Sequence, residues 1–143
     1  LGLLSCLGTW AWGHRGPVEE LDSPFLGAQP RATLLAAFEV LLPDARVAES
    51  LALEVDRFLA GHDPELADQL PTALLLLEHT AGFVGFHRMD IVRRREVLKA
   101  WESSSLGVRR QVFQALRRTA VMSFFASPES WAAIGYDGPL VGR

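Results

Sequence analysis

Chemistry in this chain of 143 residues would have to come from four histidines, one cysteine and a few juxtaposed acids and bases. Glu78 and His79 stand side by side in the middle of an apolar stretch that His87 closes. A helix turns about 100° between neighbours, so this pair cannot face one metal ion as a Glu-x-x-His pair does, and no second such motif follows. His79 is therefore expected to be a satisfied core histidine, and His14 and His62, in linker and turn sequence, to be solvated. Cys6 alone supplies neither a disulfide nor a thiolate metal site to the domain that follows it. No G-x-G-x-x-G, P-loop, G-x-S-x-G or C-x-x-C occurs, which removes the common local signatures for dinucleotides, phosphates, acyl transfer and zinc. The expectation is a chain with no catalytic, cofactor-binding or metal-binding residues of its own.

The elements that would carry these residues read as helices throughout. Leu34, Leu35, Phe38, Leu41 and Leu42 recur at helical spacing until Pro43 stops them. From Ala45 to Ala60 the stripe is Val47, Leu51, Val55, Phe58 and Leu59, with Glu49, Glu54, Asp56 and Arg57 opposite and Gly61 as the stop. Asp63-Pro64 is a helix start, and Pro71 predicts a break before the main segment, Leu70 to Phe86. That segment is apolar nearly all round, which predicts the central helix of the bundle; Glu78 and His79 exclude a membrane span. Asp90 caps a fourth helix with a buried stripe including Ile91, Leu98 and Trp101. A fifth, about Leu106 to Ala126, sets Val112, Phe113, Leu116, Ala120 and Phe124 against Arg109, Arg110, Arg117 and Arg118. Ser127-Pro128-Glu129 opens a last short turn that ends at Gly135. No hairpin or βαβ rhythm appears, so the expected fold is all-α: a compact bundle of about five to six helices around a central apolar helix, with an extended N-terminal arm and an aromatic C-terminal tail.

The length suits one domain, and 49% hydrophobic with 22% charged residues is ordinary globular composition. Residues 1–13 read as a truncated signal peptide, because LGLLSCLGTWAW is an apolar run too short to span a bilayer. Ala11 and Gly13 would suit cleavage before His14; a competing reading takes Leu3-Leu4-Ser5-Cys6 as a lipobox with Cys6 lipidated. Residues 14–30 read as a linker or extended arm and 31–143 as the helical domain. The net charge of −3 conceals an asymmetry: Leu1 to Phe86 holds 4 basic and 12 acidic residues, 4 − 12 = −8, and His87 to Arg143 holds 10 and 5, 10 − 5 = +5. No nucleic-acid motif accompanies the arginines, so no nucleic-acid partner is expected; arginine's planar multi-donor head suits a protein interface.

The C-terminus concentrates large side chains away from the helical stripes: FFASPESWAAIGYDGP presents Trp131, Ile134 and Tyr136 within a turn-forming run through Gly135, Asp137, Gly138 and Pro139. Aromatic anchors of this kind are what a protein interface requires. The tail, with the preceding VLKAWESSSLGVRRQVFQALRRTAVM and the LLP of the first helix, resembles the gluconate 2-dehydrogenase subunit 3 family over about Leu34 to Pro139. The resemblance implies a non-catalytic small subunit of a membrane-associated, flavin-dependent sugar or alcohol dehydrogenase. FAD and the catalytic base would belong to a large subunit of the glucose-methanol-choline (GMC) type, and haem c to a third, cytochrome subunit. The small subunit would carry a twin-arginine signal to the export translocase and take the folded partner with it, giving a periplasmic protein held at the inner membrane through its complex, or a lipoprotein if Cys6 is modified. The partner-binding residues would be Trp131, Ile134, Gly135, Tyr136, Asp137, Gly138, Pro139 and Arg117.

Other readings lead elsewhere. A related segment precedes the FAD domain in some long-chain alcohol oxidases, which would make this chain the front of a fused enzyme. A helical metal enzyme would use Glu78, His79 and His87, and a stand-alone helical binding module would use its arginines.

Overall fold

A computed structural model describes residues 25–59, 61 and 64–135; the predicted signal segment with Cys6, the predicted linker up to residue 24, His62, Asp63, and Tyr136 to Pro139 lie outside the described residues. Five helices of twelve or more residues make up the described part: α1 Ala28–Leu41, α2 Ala48–Leu59, α3 Pro64–Thr80, α4 Ile91–Glu102 and α5 Gly107–Ala126. A single helical turn, α6 Pro128–Trp131, follows, and 3-10 turns occupy Ala45–Val47, Phe86–Arg88 and Ala132–Ile134. No strand occurs among the described residues, so the domain is all-helical as its periodicity predicts.

The helix starts follow from local chemistry. Asp90 Oδ1 accepts from the Arg93 amide at 2.9 Å and caps α4. Asp44 does the same for Arg46 at 3.0 Å before α2. Pro30 falls in the first turn of α1, where an amide N–H would have no intrahelical partner to lose. Gly135 ends the last turn in the left-handed region at φ 68°, which glycine enters without steric cost.

Four expectations need correction. Order begins before Arg31, for Leu26 is buried and α1 starts at Ala28. Pro71 does not break α3, which runs continuously through it. An interior proline costs about 3 kcal/mol, whereas Leu70, Leu74 and Leu77, all fully buried on this helix, each contribute about 1.5–3 kcal/mol. Packing wins.

The third correction concerns the centre. α3 stops at Thr80 and turns Leu75 to solvent, while α1 touches every other long helix and the 86–88 turn. Thr33, Leu34, Ala36, Ala37 and Phe38 are buried over more than one face of α1, and its alanines let neighbouring backbones approach closely. Small side chains on an apolar helix put α1 in the middle. Lastly, individual residues trade sides: Asp56 is buried although it was placed on the polar face of α2, while Phe58 and Ile91 are 48% and 41% exposed instead of lying in the core.

Candidate partner-binding site

The predicted grip is described from Trp131 to Gly135. Trp131 is half-buried, folded back on the end of α5 with its indole N–H donating to the Phe125 carbonyl at 2.8 Å. Ile134 is 46% exposed and Gly135 is exposed beside it. Arg117 stands well out on α5, 3.7 Å from Glu102, a separation at which a surface pair contributes little. Arg109 lies over the Trp101 ring, 5.5 Å from its centroid, so part of the basic face is spent on packing inside the chain.

A second apolar feature of α5 is not visible in its sequence pattern. The carboxyl ends of α2 and α5 leave an apolar cleft of about 190 Å³ between them, lined by Val55, Phe58, Thr119, Met122, Ser123 and Ala126 with Glu54 at its margin. Val121, Met122 and Phe125 are each about half exposed on the last turns of α5, and Phe124 packs edge-on to Phe125, at 5.8 Å and 89°. The doublet Phe124-Phe125 was the available signal: on a helix its members face about 100° apart, so one of them had to leave the core. A cluster of exposed apolar side chains next to a tied-down tryptophan is the arrangement that marks interaction surfaces.

The histidines and acids assemble elsewhere, as structure. Glu78 is buried on α3. Its Oε2 accepts from the Thr33 hydroxyl at 2.8 Å and from the His87 amide at 3.1 Å, and its Oε1 lies 2.5 Å from His87 Nδ1. Burial pushes this carboxyl's pKa up, but the hydrogen bonds from Thr33 and from the backbone and ring of His87 outweigh it and hold the pKa below the ordinary value. A Cβ at Gly85 would fall 2.0 Å from Glu78 Oε1, so the chain can pass over the carboxylate only as glycine. Arg94 closes the ring: it donates to the His87 carbonyl at 2.8 Å and pairs with Glu39 of α1.

His79 is exposed, contrary to its assignment to the core, because a buried Glu78 turns its neighbour outward. Glu78, His79 and His87 border one polar recess of about 270 Å³ with Gln29, Phe83 and Arg88, but only Glu78 and His87 are bonded to each other. The described residues include no group of three or more histidine, cysteine, aspartate or glutamate side chains placed to hold a metal. The spacing Glu78-x6-Gly85-x-His87 was legible in the sequence. It was overlooked because Glu78 was weighed only against its neighbour His79.

No family model, curated protein or solved structure matches this chain.

Proposed function

We propose that this chain is an accessory subunit, without catalytic residues of its own, that binds, stabilises and helps export the FAD-bearing catalytic subunit of a GMC-type sugar or alcohol dehydrogenase. Export would use the twin-arginine route and deliver the pair to the periplasmic side of the inner membrane. The observation that carries the reading is the apolar surface on the last turns of α5, where Val121, Met122 and Phe125 are each about half exposed and Met122 lines the cleft shared with α2. A stable interface needs about 800 Å² from each partner. That is more than this cleft offers, and in this reading the run from Trp131 to Pro139 and Arg117 would contribute the remainder. The ring of hydrogen bonds about Glu78 is consistent with a scaffold, since each of its members is engaged with another residue of the chain.

The test uses the full-length protein in its own cells, tagged at the C-terminus and purified gently. A flavoprotein dehydrogenase should co-purify, seen as visible flavin absorbance and identified by mass spectrometry. The paired substitution Met122→Asp and Phe125→Asp should abolish that co-purification, because losing buried anchors costs about 2–4 kcal/mol, roughly thirty- to a thousandfold in affinity. Both side chains are more than half exposed, so the variant's melting temperature should stay within a few degrees of the parent's. Retention of the flavoprotein by the variant, or a parent chain that captures none, would sink the reading.

A further inference from the structure

The segment between α3 and α4 has a second feature that the partner reading does not use. Gly82, Phe83, Val84 and Gly85 form its tip, where Phe83 is as exposed as a phenylalanine can be, at 112% of its reference area, and Val84 is 52% exposed. Three residues on, Phe86 is fully buried. The loop therefore tucks one aromatic into the core and holds the other out.

The base of this loop is tied through both backbone polar groups of one residue. The His87 amide donates to buried Glu78 and its carbonyl accepts from Arg94, which also pairs with Glu39. Gly85 lies against the Glu78 carboxylate, and Met89 lies against Gly82, its methyl 3.2 Å from where a Cβ there would be. Ile91 and Val92, 41% and 58% exposed, follow directly on the first turn of α4. A loop held this way displays Phe83 without the entropic cost of ordering a floppy tip.

Around the tip the charge is positive on a chain that is negative overall. Between Gly82 and Lys99 the exposed cations are Arg88, Arg93, Arg95 and Lys99, and the exposed anions are Asp90 and Glu96, 4 − 2 = +2, with Arg94 engaged by Glu39 and Arg93 in an exposed pair with Glu96 at 3.2 Å that a lipid phosphate would have to replace. Arg88 also borders, with His79 and Gln29, the polar recess at the foot of Phe83.

We infer that this loop is a membrane-contact finger: Phe83 and Val84 enter the interfacial layer of an anionic phospholipid bilayer while Arg88, Arg93 and Arg95 meet the lipid phosphates. A protruding aromatic between glycines, sharing its recess with Arg88 and followed in the chain by exposed Arg93 and Arg95, suits the disordered headgroup boundary, which accepts a convex apolar tip wherever it lands. A protein partner would have to offer a matching pocket, and the flatter apolar ground for such a contact is at the ends of α2 and α5. The inference stands whether or not a flavoprotein partner exists.

The test is flotation of the purified full chain with vesicles of phosphatidylglycerol and phosphatidylcholine in equal parts, against phosphatidylcholine alone, read beside amide hydrogen exchange. The chain should float with the anionic vesicles, and amides 82–85 should become protected only when those are present. Phe83→Ser should weaken the partition roughly tenfold, Phe83→Trp should restore it, and replacing Arg88, Arg93 and Arg95 by glutamine should remove most of its salt sensitivity. Phe83 has no burial to lose, so these variants should keep the parent's melting temperature. Absence of protection at 82–85, or a Phe83→Ser chain that floats as well as the parent, would overturn the finger. Loss of a co-purifying soluble protein with vesicle binding unchanged would reassign the loop to a protein.

Discussion

Glu78 is the residue on which the most structure depends, and its chemistry sets how the fold responds to acid. Its pKa is held below the ordinary glutamate value of about 4.3, so as pH falls the unfolded chain takes up a proton before the folded one does. The stability it contributes is complete above the ordinary value and is lost as pH falls through the lower, folded one. Urea midpoints measured from neutral pH down through that window should show a steeper acid limb for the parent than for Glu78→Gln; equal limbs would mean that Glu78 titrates alike in both states. Gly85→Ala makes a companion test. A methyl group 2.0 Å from the carboxylate oxygen forces the loop or the carboxylate aside, at a cost of about 1–3 kcal/mol. Because it disturbs the same contact, its cost should add to that of Glu78→Gln by less than the sum, and strict additivity in a double-mutant cycle would refute the coupling.

The elements were read unevenly, and the reasons are physical. The start of α4, both ends of α5 and the close of the last turn are legible nearly to the residue, since capping at Asp90, the stripe through Phe124 and the stop at Gly135 are local signals. α3 was drawn with a break at Pro71 and an end at Phe86, because local rules cannot see how much apolar surface a helix will bury. The same blindness hid Asp56. Its carboxylate sits within α2's buried face, accepting from the Leu26 amide at 2.6 Å and from Arg31 Nε and Nη2 at 3.0 and 2.6 Å, so it fastens the front of the domain across a separation that periodicity does not report. Removing one partner of a buried pair costs about 3–5 kcal/mol. Arg31 is 34% exposed and can turn to water, so Asp56→Ala should cost less, about 2–3 kcal/mol, chiefly through the stranded Leu26 amide. Urea denaturation would measure this, and a change below about 0.5 kcal/mol, the scale of an ordinary surface substitution, would show that the front of the domain is held by packing alone.

For the molecule as a whole, the charge asymmetry of the sequence turns out to be sewn together at one place. Of the described ion pairs, the one that joins the acidic first part to the basic second part is Arg94–Glu39, and the His87–Glu78 hydrogen bond crosses the same boundary beside it, at the base of the loop between α3 and α4. The candidate grip was only partly legible. The aromatic tail stood out by composition, whereas the cleft arises from side chains of two helices more than sixty positions apart in the chain, Phe58 and Thr119 being the nearest, 119 − 58 = 61. If that surface binds a folded partner, mass action requires the complex to melt higher than the chain alone. At a hundredfold excess over the dissociation constant the gain is about 2.7 kcal/mol, or several degrees for a domain of this size. Scanning calorimetry of the chain with increasing flavoprotein should show a concentration-dependent rise, and a melting point indifferent to the flavoprotein would argue against the complex.

Gly85 constrains descent as well as stability. A carboxylate at 78 and a side chain at 85 compete for the same space in this backbone, so a change at 85 is costly while the acid stays as it is. A lineage that replaced the glycine would first have to surrender the acid, and with it the anchor of the His87 peptide. The two substitutions have a preferred order, acid first, and the intermediate that keeps the acid but loses the glycine is the one selection should remove.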